Sequence, residues 1–403
     1  MTEITLDIIR DIAQPTPSKI VLLVMDGLGG LPHPQTGKTE LETAKTPNLD
    51  QLAARGICGL TEPIAPGITP GSAPGHLALF GYDPVKYTIG RGILEAVGID
   101  FDVQKGDVAA RGNFCSIDEA GLVTDRRAGR ISDEKCVELC ELLDGQKIDG
   151  VKVFVRPVRE HRLVIVMRGE GLVPDVTDSD PQRTGVTPLT VKALSLPAEK
   201  LARVANEFLS RVKRMLEKHH PANMVLLRGF SRHPDLPSMS EIFKLKPATI
   251  ASYPMYRGLA KLVGMDVLKA GKTIDEEVQT LKQNYAGYDF FFIHIKGTDT
   301  SGEDGNFEGK VKVIENVDKT IPQITVLNPD VIVVAGDHST PAAFKGHSWH
   351  PVPFLLHSKW CRPSKVSKFG ESACAATSLS RLPASHLMLL AMANALKFNK
   401  FGA

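Results

Sequence analysis

Three short apolar runs along the chain each stop at acidic or histidine residues. They are Ile20–Met25, followed by Asp26; Phe290–Ile295, followed by a Lys-Gly-Thr-Asp sequence that ends at Asp299; and Val331–Ala335, followed by Gly336, Asp337 and His338. Runs of β-branched and aromatic residues of this length are typical of buried strands in a parallel sheet. Because ligands of open α/β sheets bind where the carboxyl ends of neighbouring strands meet, we expect these polar side chains to share one rim.

Helical patterns accompany these strands. Residues 46–56 predict a helix, because Pro47 lies near its start and Gly56 past its end. A second helix is predicted from Ser72 to Gly81, which places Ser72 at or near a helix N-terminus. The α/β pattern resumes in the last third of the chain, with the strand Ala248–Ser252 and the helices Arg257–Val263, Ile274–Asn284 and one within Lys310–Leu327.

The intervening segment has a different character. From about residue 88 to 237 it consists of short alternating strands such as Val151–Val155 and Leu163–Met167, arginine-rich turns, and one helix over Leu201–Glu217. The sequence therefore predicts an α/β fold in two parts. A discontinuous domain of residues 1–87 and 238–403 holds a mainly parallel sheet flanked by helices, and residues 88–237 form an inserted, smaller α/β cap domain.

Composition narrows the classes of function. The chain has 403 residues, 42% of them apolar, and 48 basic against 46 acidic residues, with no basic block interleaved with aromatics. This balance argues against a nucleic-acid surface, and no apolar stretch suggests a signal peptide or a membrane span. We therefore expect a cytoplasmic protein. The six cysteines lack metal-type or disulfide-type spacing, which favours reduced packing residues.

Oxygen and imidazole ligands of the kind that bind Mn²⁺ or Zn²⁺ follow or lie just downstream of the three strands. The set is Asp26, Asp299, Glu303, Asp337, His338, His347 and His350. Turn chemistry explains any one of these positions more readily than a metal does, but it explains the set poorly. The number of ligands suffices for two metal ions.

Ser72 follows the Gly67–Gly71 turn and begins the second predicted helix, where free amides and the helix dipole favour an anion. A metal ion nearby could lower the pKa of its hydroxyl. The alternative is that Ser72 is a helix N-cap, which is the commonest role of such a serine. The nearby candidate metal ligands make this alternative the less favoured of the two. His76 lies four residues later on the same face, and contact with a phosphoryl group or local packing are equally compatible with that spacing.

Arginines concentrate in the inserted segment. They occur within residues 125–130 and 156–162, with Arg91, Arg111, Arg228 and Arg232 near them in sequence. Guanidinium groups bind phosphate and carboxylate bidentately, although charge runs are usually solvated surface. In a chain of almost no net charge, their clustering favours a local anion site.

These residues together resemble a known family. The motifs are Asp26-Gly27, Thr46–Asp50, Gly67–Ser72, Asp125–Arg130, Tyr253–Ala260, His294–Asp299 and Gly336–Pro341. Over nearly the whole chain they resemble the alkaline phosphatase superfamily, specifically cofactor-independent phosphoglycerate mutase of the archaeal type. The resemblance implies an alkaline-phosphatase-like core and an isomerase of glycolysis and gluconeogenesis. That isomerase interconverts 3-phosphoglycerate and 2-phosphoglycerate through a phosphoserine, without 2,3-bisphosphoglycerate.

The resemblance also implies roles for residues. Ser72 is the nucleophile, and two divalent metals, manganese before Zn²⁺, Co²⁺ or Mg²⁺, are held by one set of Asp26, Ser72, Asp337 and His338 and a second of Asp299, Glu303 and His347. Arginines on a mobile cap would hold the phosphoglycerate and exclude water. The expected substrate contacts are Arg127 and Arg130, followed by Arg257, Arg228, Arg111 and Asn113, with His76 a further possibility.

Two positions depart from the family pattern. Position 303 carries Glu where the pattern has His, and position 350 carries His where Asp is usual before proline. A compensating exchange would preserve the ligand inventory of the second metal, with Glu303 supplying a carboxylate and His350 an imidazole. Two other functions stay open at this point: a metal-dependent phosphomonoesterase or phosphomutase on another small phosphorylated substrate, and a non-catalytic metal-binding protein.

Overall fold

The computed structural model describes residues 5–379 and 381–402. The chain divides into two compact units. Unit 1 comprises Met1–Thr88 and Leu236–Ala403, and unit 2 comprises Ile89–Asp235. Each unit has its own sheet and its own hydrophobic core.

Strands and helices are numbered in chain order within the described part of the chain. The strands are β1 Ile20–Met25, β2 Ile57–Glu62, β3 Val108–Ile117, β4 Val123–Asp125, β5 Gln146–Ile148, β6 Val151–Arg159, β7 Arg162–Arg168, β8 Met224–Arg232, β9 Pro247–Ile250, β10 Asp266–Val267, β11 Phe290–Ile295, β12 Val331–Ala335, β13 Val352–Ser358 and β14 Arg381–Pro383. The helices are α1 Leu6–Ile12, α2 Glu40–Thr43, α3 Pro47–Arg55, α4 Ser72–Leu79, α5 Arg91–Gly98, α6 Asp133–Leu143, α7 Glu199–Met215, α8 Met239–Phe243, α9 Pro254–Leu262, α10 Ile274–Asn284, α11 Gly297–Glu303, α12 Phe307–Thr325, α13 Glu371–Ala375 and α14 Ser385–Asn394.

Unit 1 is built on an eight-stranded sheet in the order β10-β9-β11-β1-β12-β13-β2-β14. Every neighbouring pair is parallel except those of β13, which runs antiparallel to β12 and β2. The central strands β11, β1 and β12 are buried at every position, as their uninterrupted apolar sequences predict. The predicted fold class, a mainly parallel sheet flanked by helices with a smaller second part, is confirmed.

Unit 2 contains a six-stranded antiparallel sheet in the order β4-β3-β7-β6-β5, with β8 also paired to β3. The helix α7 covers it with an apolar stripe that includes Leu201, Ala205, Phe208 and Val212. This spacing of three and four residues is that of one helix face, which is why the sequence predicted the helix.

Most predicted elements agree with the structure within a few residues, and β1, β11, β12 and α10 have the predicted ends. The helix predicted to begin at Arg257 begins three residues earlier, because Pro254 occupies its first turn, where proline loses no hydrogen bond. Helices α5 and α6 of unit 2 were not predicted. The helix α5 carries two glycines, Gly92 and Gly98, which obscured its pattern.

Two general expectations can be compared with the structure. Within the described ranges, no helix combines the length and apolarity needed to cross a membrane. All six cysteines are free thiols, and five of them are buried.

Candidate functional site

The carboxyl ends of three adjacent parallel strands carry the acidic residues that the sequence singled out. In the sheet, β1 lies between β11 and β12, and Met25 pairs with Ile295 while Val24 pairs with Ala335. This register brings Asp26 level with the polar residues that follow the two neighbouring strands. The observed strand pairing therefore agrees with the expectation that these residues share one rim of the sheet.

Four atoms converge at the first group of residues. Nε2 of His338 lies 3.2 Å from Oγ of Ser72, 3.2 Å from Oδ1 of Asp26 and 3.2 Å from Oδ2 of Asp337. Both carboxylates and the imidazole are fully buried. The ligand atoms of Asp26, Asp337 and His338 all lie within 4.8 Å of one another, which is the distance requirement for holding one metal ion together.

The tautomer of His338 follows from its other neighbour. The Thr340 hydroxyl donates its single proton to Oδ1 of Asp299 at 2.7 Å, so it can only accept from Nδ1 of His338, which lies 2.9 Å away. In the neutral ring, Nε2 is then the atom with a free lone pair, and it faces Ser72. This is the orientation that a metal-binding histidine requires.

A second group shares His338 with the first. Asp299, His338 and His347 meet the same distance requirement, and Nε2 of His347 lies 3.6 Å from Oδ1 of Asp299. The rings of His338 and His347 stack with centroids 3.7 Å apart. Glu303 approaches this group, with Oε1 3.9 Å from Nε2 of His347.

The eighth predicted ligand, His350, has other contacts. Its Nδ1 lies 3.0 Å from Oγ of Ser348, and its ring stacks on Trp349. Neither of the two groups found among the described residues includes it. Its predicted role as a ligand, like that of Glu303, stays a prediction.

The donor set of this rim suits divalent cations. Asp26, Asp299 and Asp337 are buried to within 1% of their surface, and burying three carboxylates together is costly unless cations compensate them. Burial opposes the charged form of His338, but the carboxylates of Asp337 and Asp26 outweigh it and raise the pKa of His338 to about 9. The imidazolium proton thus supplies positive charge at the position where a metal ion would displace it.

Three residues around Asp26 were quoted in the sequence motifs but were given no role. Oδ2 of Asp26 accepts hydrogen bonds from the Tyr256 hydroxyl, from Nε2 of His294 at 3.0 Å and from Nζ of Lys296 at 3.1 Å. Burial opposes the charge on Asp26, yet His294, His338 and Lys296 hold its pKa well below the usual range. Because these three donors occupy Oδ2, Oδ1 is the oxygen of Asp26 that faces Nε2 of His338 beside the Ser72 hydroxyl.

Ser72 is the first residue of α4, and Gly71 is the N-cap residue without any side-chain cap. Ser72 does not itself cap the helix, so the structure contradicts the N-cap alternative. Close packing of α4 on the rim depends on Gly75, because a Cβ there would lie 2.3 Å from the Asp337 carbonyl oxygen. The Ser72 hydroxyl is thereby held at the helix N-terminus beside the carboxylates.

His76, one turn after Ser72, is completely buried behind it. Its Nδ1 lies 2.8 Å from the Ser72 carbonyl oxygen and 3.0 Å from Oδ2 of Asp337. These contacts agree with the packing alternative, and a role for His76 in substrate binding stays a prediction.

The predicted substrate residues of unit 2 lie on its sheet and on one loop. Arg111 of β3 pairs with Arg228 of β8, and Asn113 of β3 pairs with Arg162 of β7. Arg127 and Arg130 are exposed on the loop after β4. Asp125 shapes that loop, because its carboxylate accepts the amides of Arg127 at 2.8 Å and Gly129 at 2.6 Å. Arg257, on α9 of unit 1, is half-buried.

Fold and geometry together define an α/β protein in which two candidate groups of metal ligands lie beside a serine hydroxyl, at the carboxyl ends of a mainly parallel sheet. Comparison with known proteins identifies the family. A family model described as 2,3-bisphosphoglycerate-independent phosphoglycerate mutase matches residues 53–223. A Thermotoga maritima protein named probable 2,3-bisphosphoglycerate-independent phosphoglycerate mutase is 52% identical over 96% of each chain. A protein of the same name from Thermosipho melanesiensis is 50% identical over 98% of each chain.

Two solved structures share the fold of this chain. A Pyrococcus horikoshii protein matches with a TM-score of 0.83 and 28% identity, covering 96% of this chain and all of that one. A cofactor-independent phosphoglycerate mutase from Thermoplasma acidophilum matches with a TM-score of 0.72 and 30% identity, covering 94% of this chain and all of that one. The chain belongs to the family of 2,3-bisphosphoglycerate-independent phosphoglycerate mutases, which confirms the resemblance found in the sequence.

Proposed function

We propose that this chain is an isomerase that interconverts 3-phosphoglycerate and 2-phosphoglycerate in glycolysis and gluconeogenesis, without 2,3-bisphosphoglycerate as a cofactor. Family membership supports this activity. The observation that carries it is the position of the Ser72 hydroxyl, at a helix N-terminus and 3.2 Å from Nε2 of His338, where the Asp26 and Asp337 carboxylates also converge.

In this proposal the Ser72 oxygen attacks the phosphorus of the substrate, and the bond from phosphorus to the glycerate oxygen breaks. The phosphoryl group is then carried on Ser72 while glycerate stays bound. In the second half, the other glycerate hydroxyl attacks the phosphoserine and releases Ser72. The amides at the start of α4 would stabilise the charge of the phosphoryl oxygens.

Two divalent cations, Mn²⁺ before Zn²⁺, Co²⁺ or Mg²⁺, complete the proposed site. Asp26, Ser72, Asp337 and His338 would hold one, and Asp299, Glu303 and His347 the other, with His350 as the remaining predicted ligand. When bound, such cations lower the pKa of a hydroxyl and neutralise phosphoryl charge. The chain itself fixes the donors: Thr340 orients His338, and Tyr256, His294 and Lys296 orient Asp26.

A mutase must also keep water from the phosphoserine, since hydrolysis would turn it into a phosphatase. We assign this task to unit 2 as the cap domain, whose arginines would bind the carboxylate and phosphate of the substrate. Arg127 and Arg130 are the first choices, with Arg111, Arg228, Asn113 and Arg257 after them. Bidentate guanidinium contacts would hold glycerate while its two hydroxyls exchange places.

An enolase-coupled assay with 3-phosphoglycerate and Mn²⁺, without 2,3-bisphosphoglycerate and with free phosphate recorded in parallel, tests the proposal. We expect 2-phosphoglycerate without phosphate release, and loss of at least about a thousandfold in kcat for Ser72→Ala. Ser210→Ala, which removes an exposed hydroxyl from α7, is the matched control and should retain activity. Phosphate release alone would indicate a phosphomonoesterase. If neither 2-phosphoglycerate nor free phosphate is formed, the assignment of 3-phosphoglycerate as the substrate is contradicted.

A further inference from the structure

A buried histidine behind the Ser72 hydroxyl has no part in the proposed mechanism. His76 lies on α4 with 0% of its surface exposed. Four rings pack around it with centroids between 4.9 and 6.2 Å from its own, those of Phe80, Tyr256, Phe292 and His294. Its Nε2 is buried and makes no hydrogen bond with the residues that the structure describes. Burying a polar atom without a partner is costly, and an apolar side chain would fill this space without that cost.

The other ring nitrogen accounts for the presence of a histidine. Nδ1 of His76 is hydrogen-bonded to the Ser72 carbonyl oxygen at 2.8 Å and lies 3.0 Å from Oδ2 of Asp337. Both neighbours are acceptors, so Nδ1 carries the proton and donates it to the Ser72 carbonyl. A single N–H group therefore contacts the residue that bears the proposed nucleophile and a proposed metal ligand.

The two carboxylate oxygens of Asp337 have different surroundings. Oδ1 accepts a hydrogen bond from the Gly27 amide at 3.0 Å, whereas Oδ2 makes none with the described residues. Oδ2 lies 3.2 Å from Nε2 of His338, within the first ligand group, and is the oxygen left to bind a cation. The N–H of His76 is close enough to attract this oxygen while its lone pairs stay open.

The residue before His76 makes a second contact with Asp337. A Cβ at Gly75 would lie 2.3 Å from the Asp337 carbonyl oxygen, so glycine permits the close approach of α4, and the imidazole adds a directional polar contact. Together the two contacts fix the first turn of α4 against the loop after β12. The Ser72 hydroxyl, in that same turn, is thereby held 3.2 Å from Nε2 of His338.

We propose that His76 is a positioning residue whose Nδ1–H holds the Ser72 main chain and the Asp337 carboxylate in a fixed relation, so that the Ser72 hydroxyl and Oδ2 of Asp337 face one divalent cation. The identity of the reaction and of the cation rests on the proposed function. His76 acts through these two residues and does not touch the substrate. Outer partners of metal ligands commonly change metal affinity or activity by about ten- to a hundredfold.

Two other roles for His76 lead to different expectations. If His76 only packs, a side chain of similar size without a donor should keep both metal binding and turnover. If His76 binds the phosphoryl group, its loss should raise KM for 3-phosphoglycerate and leave Mn²⁺ binding unchanged. The positioning role gives a third pattern, which is weaker Mn²⁺ binding and a lower kcat with little change in KM.

The test compares two amide variants that place an N–H group at different points of the ring. The amide of His76→Asn overlaps Nδ1 and can donate to the Ser72 carbonyl, whereas that of His76→Gln overlaps Nε2. Titration calorimetry measures Mn²⁺ binding, and the coupled assay at saturating Mn²⁺ measures kcat and KM with 3-phosphoglycerate.

The two variants should differ in metal binding and in kcat. For His76→Gln we expect the Kd of one Mn²⁺ equivalent to rise at least about tenfold, kcat to fall at least about tenfold and KM to stay within about twofold. For His76→Asn we expect Kd and kcat within about threefold of the wild type. Equal Mn²⁺ affinity in both variants, or a change in KM alone, would overturn the inference.

A further variant keeps the test valid if an amide variant does not fold. His76→Leu is close to histidine in size and lacks both nitrogens, so the metal-free protein should melt no lower than the wild type while the Mn²⁺ Kd rises at least about tenfold. Wild-type Mn²⁺ affinity in a folded His76→Leu would overturn the inference. His357→Asn is the matched control, because His357 of β13 pairs with Ile332 toward the end of β12 that is opposite the rim. It should leave Mn²⁺ binding and turnover unchanged.

Metal binding and turnover together separate this inference from the proposed function. If the wild type fails to convert 3-phosphoglycerate but the Mn²⁺ affinities of the variants are ordered as stated, the proposed reaction fails and the role of His76 stands. Normal turnover with equal Mn²⁺ affinities in all variants has the reverse meaning. A wild type that binds no Mn²⁺ would overturn both.

Discussion

The ammonium nitrogen of Lys296 lies 2.5 Å from Oδ2 of Asp299. The same nitrogen lies 3.1 Å from Oδ2 of Asp26, so one cation bridges an acid of each proposed metal group. Burial opposes the charged form of Lys296, but Asp26 and Asp299 outweigh it and raise its pKa above the usual range. Lys296 therefore stays charged and partly compensates the rim before any metal binds.

This bridge leads to a prediction about metal-dependent stability. In Lys296→Met the acids of the rim lose their internal cation, so the metal-free protein should melt at a lower temperature and Mn²⁺ should raise the melting temperature by more than in the wild type. Thermal unfolding with EDTA and with Mn²⁺ measures both effects. Lys312→Met, at an exposed position of α12, should shift neither value. Equal Mn²⁺-induced shifts in Lys296→Met and the wild type would refute the bridging role.

The second metal group leads to a prediction about Glu303. Its carboxylate is 3.9 Å from His347, whereas His350 contacts Ser348 and Trp349. Glu303→Ala should therefore lower the metal content from two equivalents toward one, and His350→Ala should have a smaller effect. Metal analysis after equilibrium dialysis against Mn²⁺ measures the stoichiometry. Glu308→Ala, an exposed carboxylate on α12, is the control; two full equivalents in both ligand variants would exclude the compensating exchange.

A buried lysine behind the rim leads to a prediction about stability. Nζ of Lys310 donates to the carbonyl oxygens of Gly27 at 2.8 Å, Gly29 at 2.9 Å and Thr340 at 2.9 Å, which ties the loop after β1 to the loop after β12. Lys310→Met leaves these carbonyls without their charged donor and should lower the free energy of unfolding by roughly 3 kcal/mol.

Denaturant unfolding of the metal-free protein measures this loss, and metal titration should show weaker Mn²⁺ binding because the two loops carry Asp26 and His338. Lys319→Met, on the exposed side of α12, is the matched control. A loss below about 1 kcal/mol would mean that water replaces the ammonium at little cost.

The sequence predicted the rim because its signals are local. A buried parallel strand must be apolar along its length, so the change from Ala335 to Asp337 marks the strand end, and neighbouring ends must meet. The burial of every residue of β1, β11 and β12 agrees with this argument.

The supporting residues could not be predicted in the same way. Lys310 lies at the start of the predicted helix segment, where a lysine normally indicates a solvent-exposed position. Its burial depends on three carbonyl groups that converge only in the folded chain. The buried Glu95 on α5 is similar, since three of its arginine neighbours, Arg111, Arg162 and Arg228, come from three strands whose order is set by long-range pairing. Sequence spacing carries no information about such contacts.

Glu277 leads to a prediction about the pH dependence of stability. It lies on α10 with 6% of its surface exposed, and burial raises its pKa from 4.5 to about 8. Below about pH 4.5 the carboxyl is protonated in both states, so it has no effect. Between pH 4.5 and 8 the unfolded chain loses the proton while the folded chain keeps it, and stability falls as pH rises. Above pH 8 the cost is complete.

Glu277→Gln removes this cost, because the amide is neutral at every pH. We expect the variant to exceed the wild type by roughly 5 kcal/mol in free energy of unfolding at pH 8.5 and to equal it near pH 4.5. Urea unfolding at these two pH values measures the difference, and Glu308→Gln, an exposed carboxylate of the same unit, should show none of it. A constant difference at both pH values would mean that packing, and not the titration of Glu277, separates the two proteins.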